Sequence, residues 1–96
     1  MKNKFDIGDF VNTQTIQSVT NGIVEREKKR RKQMHLSQKK LSIRSGVSYA
    51  SIRRFENTGE ISLGSLLKIA MALDCLEDFN SVFSHPFIDN LKDYEG

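Results

Sequence analysis

Arg53 and Arg54, with Tyr49 and Ala50 just before them, are the residues of this chain whose types and spacing suggest chemistry. A helix turns about 100° per residue, so these four share one arc, while Ile52 and Phe55 fall roughly opposite. Guanidinium groups are planar, permanently charged and donor-only, which suits them to phosphate oxygens and to the acceptor edges of bases. A second group, Ser37-Gln38-Lys39-Lys40, lies shortly before. Ser37 is a good N-cap, and the first-turn N–H groups of a helix starting there point outward. Such an end attracts a phosphate through its donors and its dipole. An ordinary amphipathic surface helix is the simpler explanation of the arginine arc. The phosphate-ready helix start and the short connection between the two groups weigh against it.

The elements that must position these residues can be read around them. Leu36 to Gly59 reads as two short helices joined at Gly46. Leu41 faces the core, Ser42 and Ser45 are small enough for close helix approach, and Val47 plugs the corner. Gly46 supplies the turn with positive φ. Ser48 caps the next helix, and Asn57, Thr58 and Gly59 end it. Upstream, Ile16, Val19, Ile23 and Val24 predict a first helix from about Thr13 to Gln33, with Gly22 inside it or marking a later start. Its second half puts Glu27 and Arg30 or Arg31 on the apolar face, where a charge needs a partner. Downstream, Ser62 caps a fourth helix with Leu63, Leu66, Leu67, Ile69, Ala70 and Leu73 as its stripe. Leu76, Phe79, Val82 and Phe83 predict a fifth, and Pro86 is placed to open a last helical turn. Phe5 and Ile7 alternate as in a short strand, but a tail that orders against a partner is preferred. The chain divides into a 1–12 tail, a 13–83 domain and an 84–96 extension in which Phe87, Ile88 and Leu91 offer an interface.

Ninety-six residues make one small domain. The net charge of +3 hides an asymmetry. Residues 25–54 carry eleven Lys or Arg against two acids, a net +9, and residues 55–96 carry two against eight, a net −6. A basic half joined to an acidic half suggests a face for a polyanion, although charge alone does not separate this from solvated helix surfaces. The run Lys28 to Lys32 resembles a nuclear-import signal, and a solvated helix with one inward arginine is the plainer account. A single Cys75 excludes an intramolecular disulfide and fits a reducing cytosol. One cysteine with His35 and His85 falls short of a zinc site, so no metal or cofactor is expected. No segment reads as a membrane span or signal peptide, which predicts a cytoplasmic protein with no membrane association. No Ser–His–acid grouping or glycine-rich phosphate loop is present, and an enzyme is not expected.

Leu36-Ser37-Gln38, Leu41, Gly46-Val47-Ser48, Ser51-Ile52, Phe55-Glu56-Asn57 and Gly59 precede a run of leucines and alanines from Leu63 to Leu73. Together they resemble the helix-turn-helix domain of phage-repressor-like regulators, the family of lambda-repressor, Cro and xenobiotic-response-element-type proteins. The resemblance runs without a gap over roughly residues 22–83. It implies an all-α, five-helix fold that binds double-stranded operator DNA as a homodimer, with the third helix (about 48–58) in the major groove. On that pattern Tyr49, Ala50 and Arg54 meet base edges, and Arg53 lies near a neighbouring base or the backbone. Arg54 could take guanine O6 and N7 in bidentate fashion. Gln38 holds a phosphate, joined by Ser37, Lys39, Lys40, Ser48 and Asn57. Tyr49 could instead contact a phosphate, pack on a thymine methyl, or simply lie over the helix. The resemblance further implies a structural pair between Arg31 and Glu56. Glu27, Arg30 and Ile43 depart from the family pattern. The expected role is a transcriptional regulator, a repressor. The alternative is the antitoxin subunit of a toxin–antitoxin pair, to whose kinase-toxin-associated members the ending ALDCLEDFNSVFSHPFIDNL is loosely similar, with the toxin as protein partner.

Overall fold

The computed structural model describes residues 14–89. Expectations for the 1–12 tail and for Leu91 lie outside them. Four α-helices follow in order: α1 (Ile16–Gln33), α2 (Gln38–Ser45), α3 (Tyr49–Thr58) and α4 (Leu63–Ala72), then a 3-10 helix, Leu76–Ser81. The described residues contain no strand.

Each α-helix starts on a hydroxyl. Thr15, Ser37, Ser48 and Ser62 accept from the backbone N–H three residues on, satisfying one otherwise unpaired first-turn donor. At α1 the bond is reciprocated, since the Ser18 hydroxyl accepts from the Thr15 N–H at 3.0 Å. This box moves the start of α1 from the expected Thr13 to Ile16. Helices α2 and α3 stop at Gly46 and Gly59, which adopt φ of 79° and 82°. That left-handed conformation costs a residue with a Cβ about 1–2 kcal/mol.

The core beneath α2 and α3 consists of Leu41, Val47, Ile52, Ile69 and Leu73, with Met34, Leu36, Ile61, Ala72 and Cys75 packed around it. Phe55 is also buried. Each fully buried aliphatic or aromatic side chain contributes about 1.5–3 kcal/mol, so α4 acts as the floor that fixes the α2–α3 angle. Helix α1 packs on α3.

The charges on the inner face of α1 have two different partners. Arg31 donates from Nε to Glu56 Oε2 and from Nη2 to Glu56 Oε1, both at 2.8 Å, and from Nη1 to the Leu36 carbonyl at 2.9 Å. Arg30 donates from Nε to the Leu73 carbonyl and from Nη2 to the Asp74 carbonyl, covering acceptors that α4 leaves unpaired at its C-terminus. Glu27 is buried and neither of its oxygens accepts a hydrogen bond. Burial first, then the adjoining Glu56 carboxylate, raise its pKa to about 8. An unpaired carboxylate here would be costly, so burial and the adjoining Glu56 charge favour the neutral acid. For Glu56, burial acts to raise the pKa, but the hydrogen bonds from Arg31 and Gln38 and the Arg31 charge hold it below the ordinary value.

Three sequence expectations need correction. The fifth helix is present, as a six-residue 3-10 helix, but Val82 and Phe83, expected on it, lie beyond its end and are exposed, Phe83 fully. Among the described residues, which end at Asp89, no helical turn follows Pro86. Leu63, assigned to the inner stripe of α4, is exposed because it occupies the first residue after the Ser62 cap.

Candidate nucleic-acid interface

Two helix starts and one exposed arc make this surface. In α2, Ser37 Oγ takes the Lys40 N–H, and by helix geometry the Gln38 and Lys39 N–H groups have no acceptor within the helix. Lys39 and Lys40 are exposed beside them. The turn to α3 is locked by small side chains. Ser42 Oγ donates to the Val47 carbonyl at 2.6 Å, and the Val47 N–H donates to Ser45 Oγ at 3.1 Å. Val47 is thereby buried in the corner, and α3 leaves at a fixed angle.

Ile52 and Phe55 turn α3 inward, and Tyr49, Ala50, Arg53 and Arg54 remain exposed on its other side. The Tyr49 ring joins the two helices. Lys39 Nζ lies 5.5 Å from its centroid and Arg53 Cζ lies 5.6 Å from it. Both are within cation–π range, so one aromatic ring sets the spacing of a cation on α2 and a cation on α3. These three residues come together as one cluster. Gln38 is placed differently from its neighbours: it is half-buried, and its Nε2 donates to Glu56 Oε1 at 2.9 Å. Its side chain therefore ties the start of α2 to the Arg31–Glu56 pair. Ser48 Oγ accepts from the Ser51 N–H and donates to Ser51 Oγ, so it serves as a cap. Asn57 is exposed at the far end of α3.

One residue of this surface escaped the sequence reading. Glu60, in the connection to α4, accepts from Arg54 Nη2 at 2.7 Å. Its only signal was an acid six residues after an arginine across a glycine, a pattern too common to stand out. Among the described residues, no group of three or more His, Cys, Asp or Glu could hold a metal ion. No helix there is long and apolar enough to cross a membrane.

A helix-turn-helix family model matches residues 28–79, more than half of the chain and all of α2, α3 and α4. No curated protein and no solved structure is significantly similar to it.

Proposed function

The chain belongs to the lambda-repressor-like helix-turn-helix family and is a DNA-binding regulator of that type, and we propose that it reads a specific double-stranded operator with α3 in the major groove. The observation that carries this is the Lys39–Tyr49–Arg53 cluster bridging the start of α2 to the exposed arc of α3. The α2 start and Lys39, Lys40, Ser37 and Asn57 supply phosphate contacts, with Gln38 steadying that end and Ser48 capping α3. Arg54, with Ala50, Tyr49 and Arg53, supplies base contacts. Binding by such a surface represses by occluding promoter DNA.

A homodimer follows from the same reading, because two copies double the base pairs read. Phe83, Phe87 and Ile88 support it: they are exposed, apolar and lie in the 84–96 extension or next to it. The antitoxin alternative uses the same extension for a toxin and is distinguished by a larger partner that co-purifies only when residues 84–96 are present.

The test is a titration of duplex DNA by fluorescence anisotropy over a range of salt. A straight fall of log affinity with log salt is expected, and Lys39→Ala should reduce its slope by roughly one unit. Absent binding, or salt-independent binding, would overturn the proposal.

A further inference from the structure

The Arg54–Glu60 pair is exposed, with side chains 68% and 67% accessible, so it adds little to stability. The loop that carries Glu60 is nevertheless tightly built. Thr58 Oγ1 donates to the Arg54 carbonyl at 2.7 Å and accepts the Glu60 N–H at 3.1 Å. Gly59 between them is left-handed and presses on α1, so close that a Cβ there would lie 2.2 Å from Thr20 Cγ2. The Glu60 backbone is therefore fixed relative to both α1 and α3, and its carboxylate is held beside Arg54 on the exposed arc.

We propose that Glu60 is a specificity-determining residue that positions the Arg54 guanidinium for base reading and, as an acid on a basic face, penalises binding to unrelated DNA. This rests on α3 reading DNA as proposed above. Two physical effects are combined. Accepting from Nη2 orients the guanidinium plane while leaving its other donors for the base edge. The negative charge repels phosphates wherever Arg54 lacks its base, so it weakens wrong complexes more than right ones.

The test compares the wild-type chain with Glu60→Ala and Glu60→Gln by selection from random duplex DNA at one salt concentration, with affinity for a fixed non-specific duplex measured in parallel. Glu60→Ala should lower the preference at a single base pair per half-site by roughly fivefold, the most an exposed ion pair holds, and should tighten non-specific binding. Glu60→Gln keeps an acceptor but not the charge. It should restore most of the base preference while non-specific binding stays tight. The melting temperature should not move in either variant. If Glu60→Ala keeps the wild-type preference at every position, or loses it evenly at all of them, the positioning role is wrong and DNA reading stands. If the wild-type chain enriches no sequence, the DNA-reading proposal fails and takes this role with it.

Discussion

Arg31 on α1 and Glu56 on α3 meet in a two-pronged pair, with both N–O distances 2.8 Å and the side chains 9% and 2% accessible. The pair holds more than two helices together. Glu56 also accepts from Gln38 at the start of α2, and Arg31 also donates to the Leu36 carbonyl in the turn before it. Three helices therefore converge on one buried carboxylate that lies behind the candidate interface. Arg31→Met should destabilise the fold by about 3–5 kcal/mol, because it leaves Glu56 buried without its cation. Chemical denaturation of both proteins at one pH measures this. A cost below about 1 kcal/mol would mean that the pair is dispensable.

Glu27 gives stability an unusual pH dependence. Its pKa rises from 4.5 to about 8 on folding, so the folded state keeps a proton that the unfolded state has lost. Its contribution is full below pH 4.5, declines as pH rises, and is gone above about 8. The slope in that window is at most ~1.4 kcal/mol per pH unit. Glu56 acts in the opposite sense. Its lowered pKa gives stability that is present above the ordinary carboxylate value and lost as pH falls through the folded value. The two together predict maximal stability on the acid side of neutrality. Denaturation midpoints measured from pH 5 to 8 should fall for the wild-type chain and stay nearly level for Glu27→Gln. Equal slopes would contradict the assignment.

Gly46 and Gly59 share a backbone conformation but differ in surroundings. A Cβ at Gly46 meets nothing within 4 Å, whereas one at Gly59 meets Thr20 Cγ2 at 2.2 Å. Gly46→Ala should cost about 1–2 kcal/mol from the left-handed backbone alone. Gly59→Ala should cost more, because a branched side chain on α1 has to move. Adding Thr20→Ala should recover part of that excess, so the double mutant is the sensitive comparison. Strict additivity of the two substitutions would show that the contact does not matter.

Tyr49 offers a choice between its ring and its hydroxyl. If it acts by holding Lys39 and Arg53, Tyr49→Phe should bind DNA like the wild-type chain, and Tyr49→Ala should bind more weakly by about 0.5–1 kcal/mol per cation released. Anisotropy titrations at fixed salt separate the two. Equal losses in both variants would assign the role to the hydroxyl, and with it a direct phosphate contact.

The legible parts of this fold were those carried by local rules. Ser37, Ser48 and Ser62 cap the helices expected from them, Gly46 and Gly59 end them, and Ile52 and Phe55 face inward as the helical period requires. The all-helical fold and the Arg31–Glu56 pair followed from the family resemblance. What stayed hidden depends on distant neighbours. Arg30 finds its acceptors 43 and 44 residues away, at the end of α4. Glu27 could be recognised as a charge on an inner face, but its protonation follows from burial beside Glu56, which spacing does not reveal. The 3-10 geometry after Cys75 likewise depends on how the chain leaves α4 through Asp74, whose φ is 64°. On the candidate interface, the arc of α3 was visible in the helical period. The bridging place of Tyr49 and the loop contact of Glu60 needed coordinates.

The central claim is that α3 reads DNA bases through Arg54. Selection from random duplex DNA at fixed salt, run on the wild-type chain and on Arg54→Ala, tests it most directly. The wild-type chain should enrich one pseudo-palindromic site, and Arg54→Ala should lose discrimination at one symmetry-related base pair in each half-site, by about 1–3 kcal/mol, with the remainder of the site intact. An unchanged site in Arg54→Ala, or no enriched site for the wild-type chain, would contradict it.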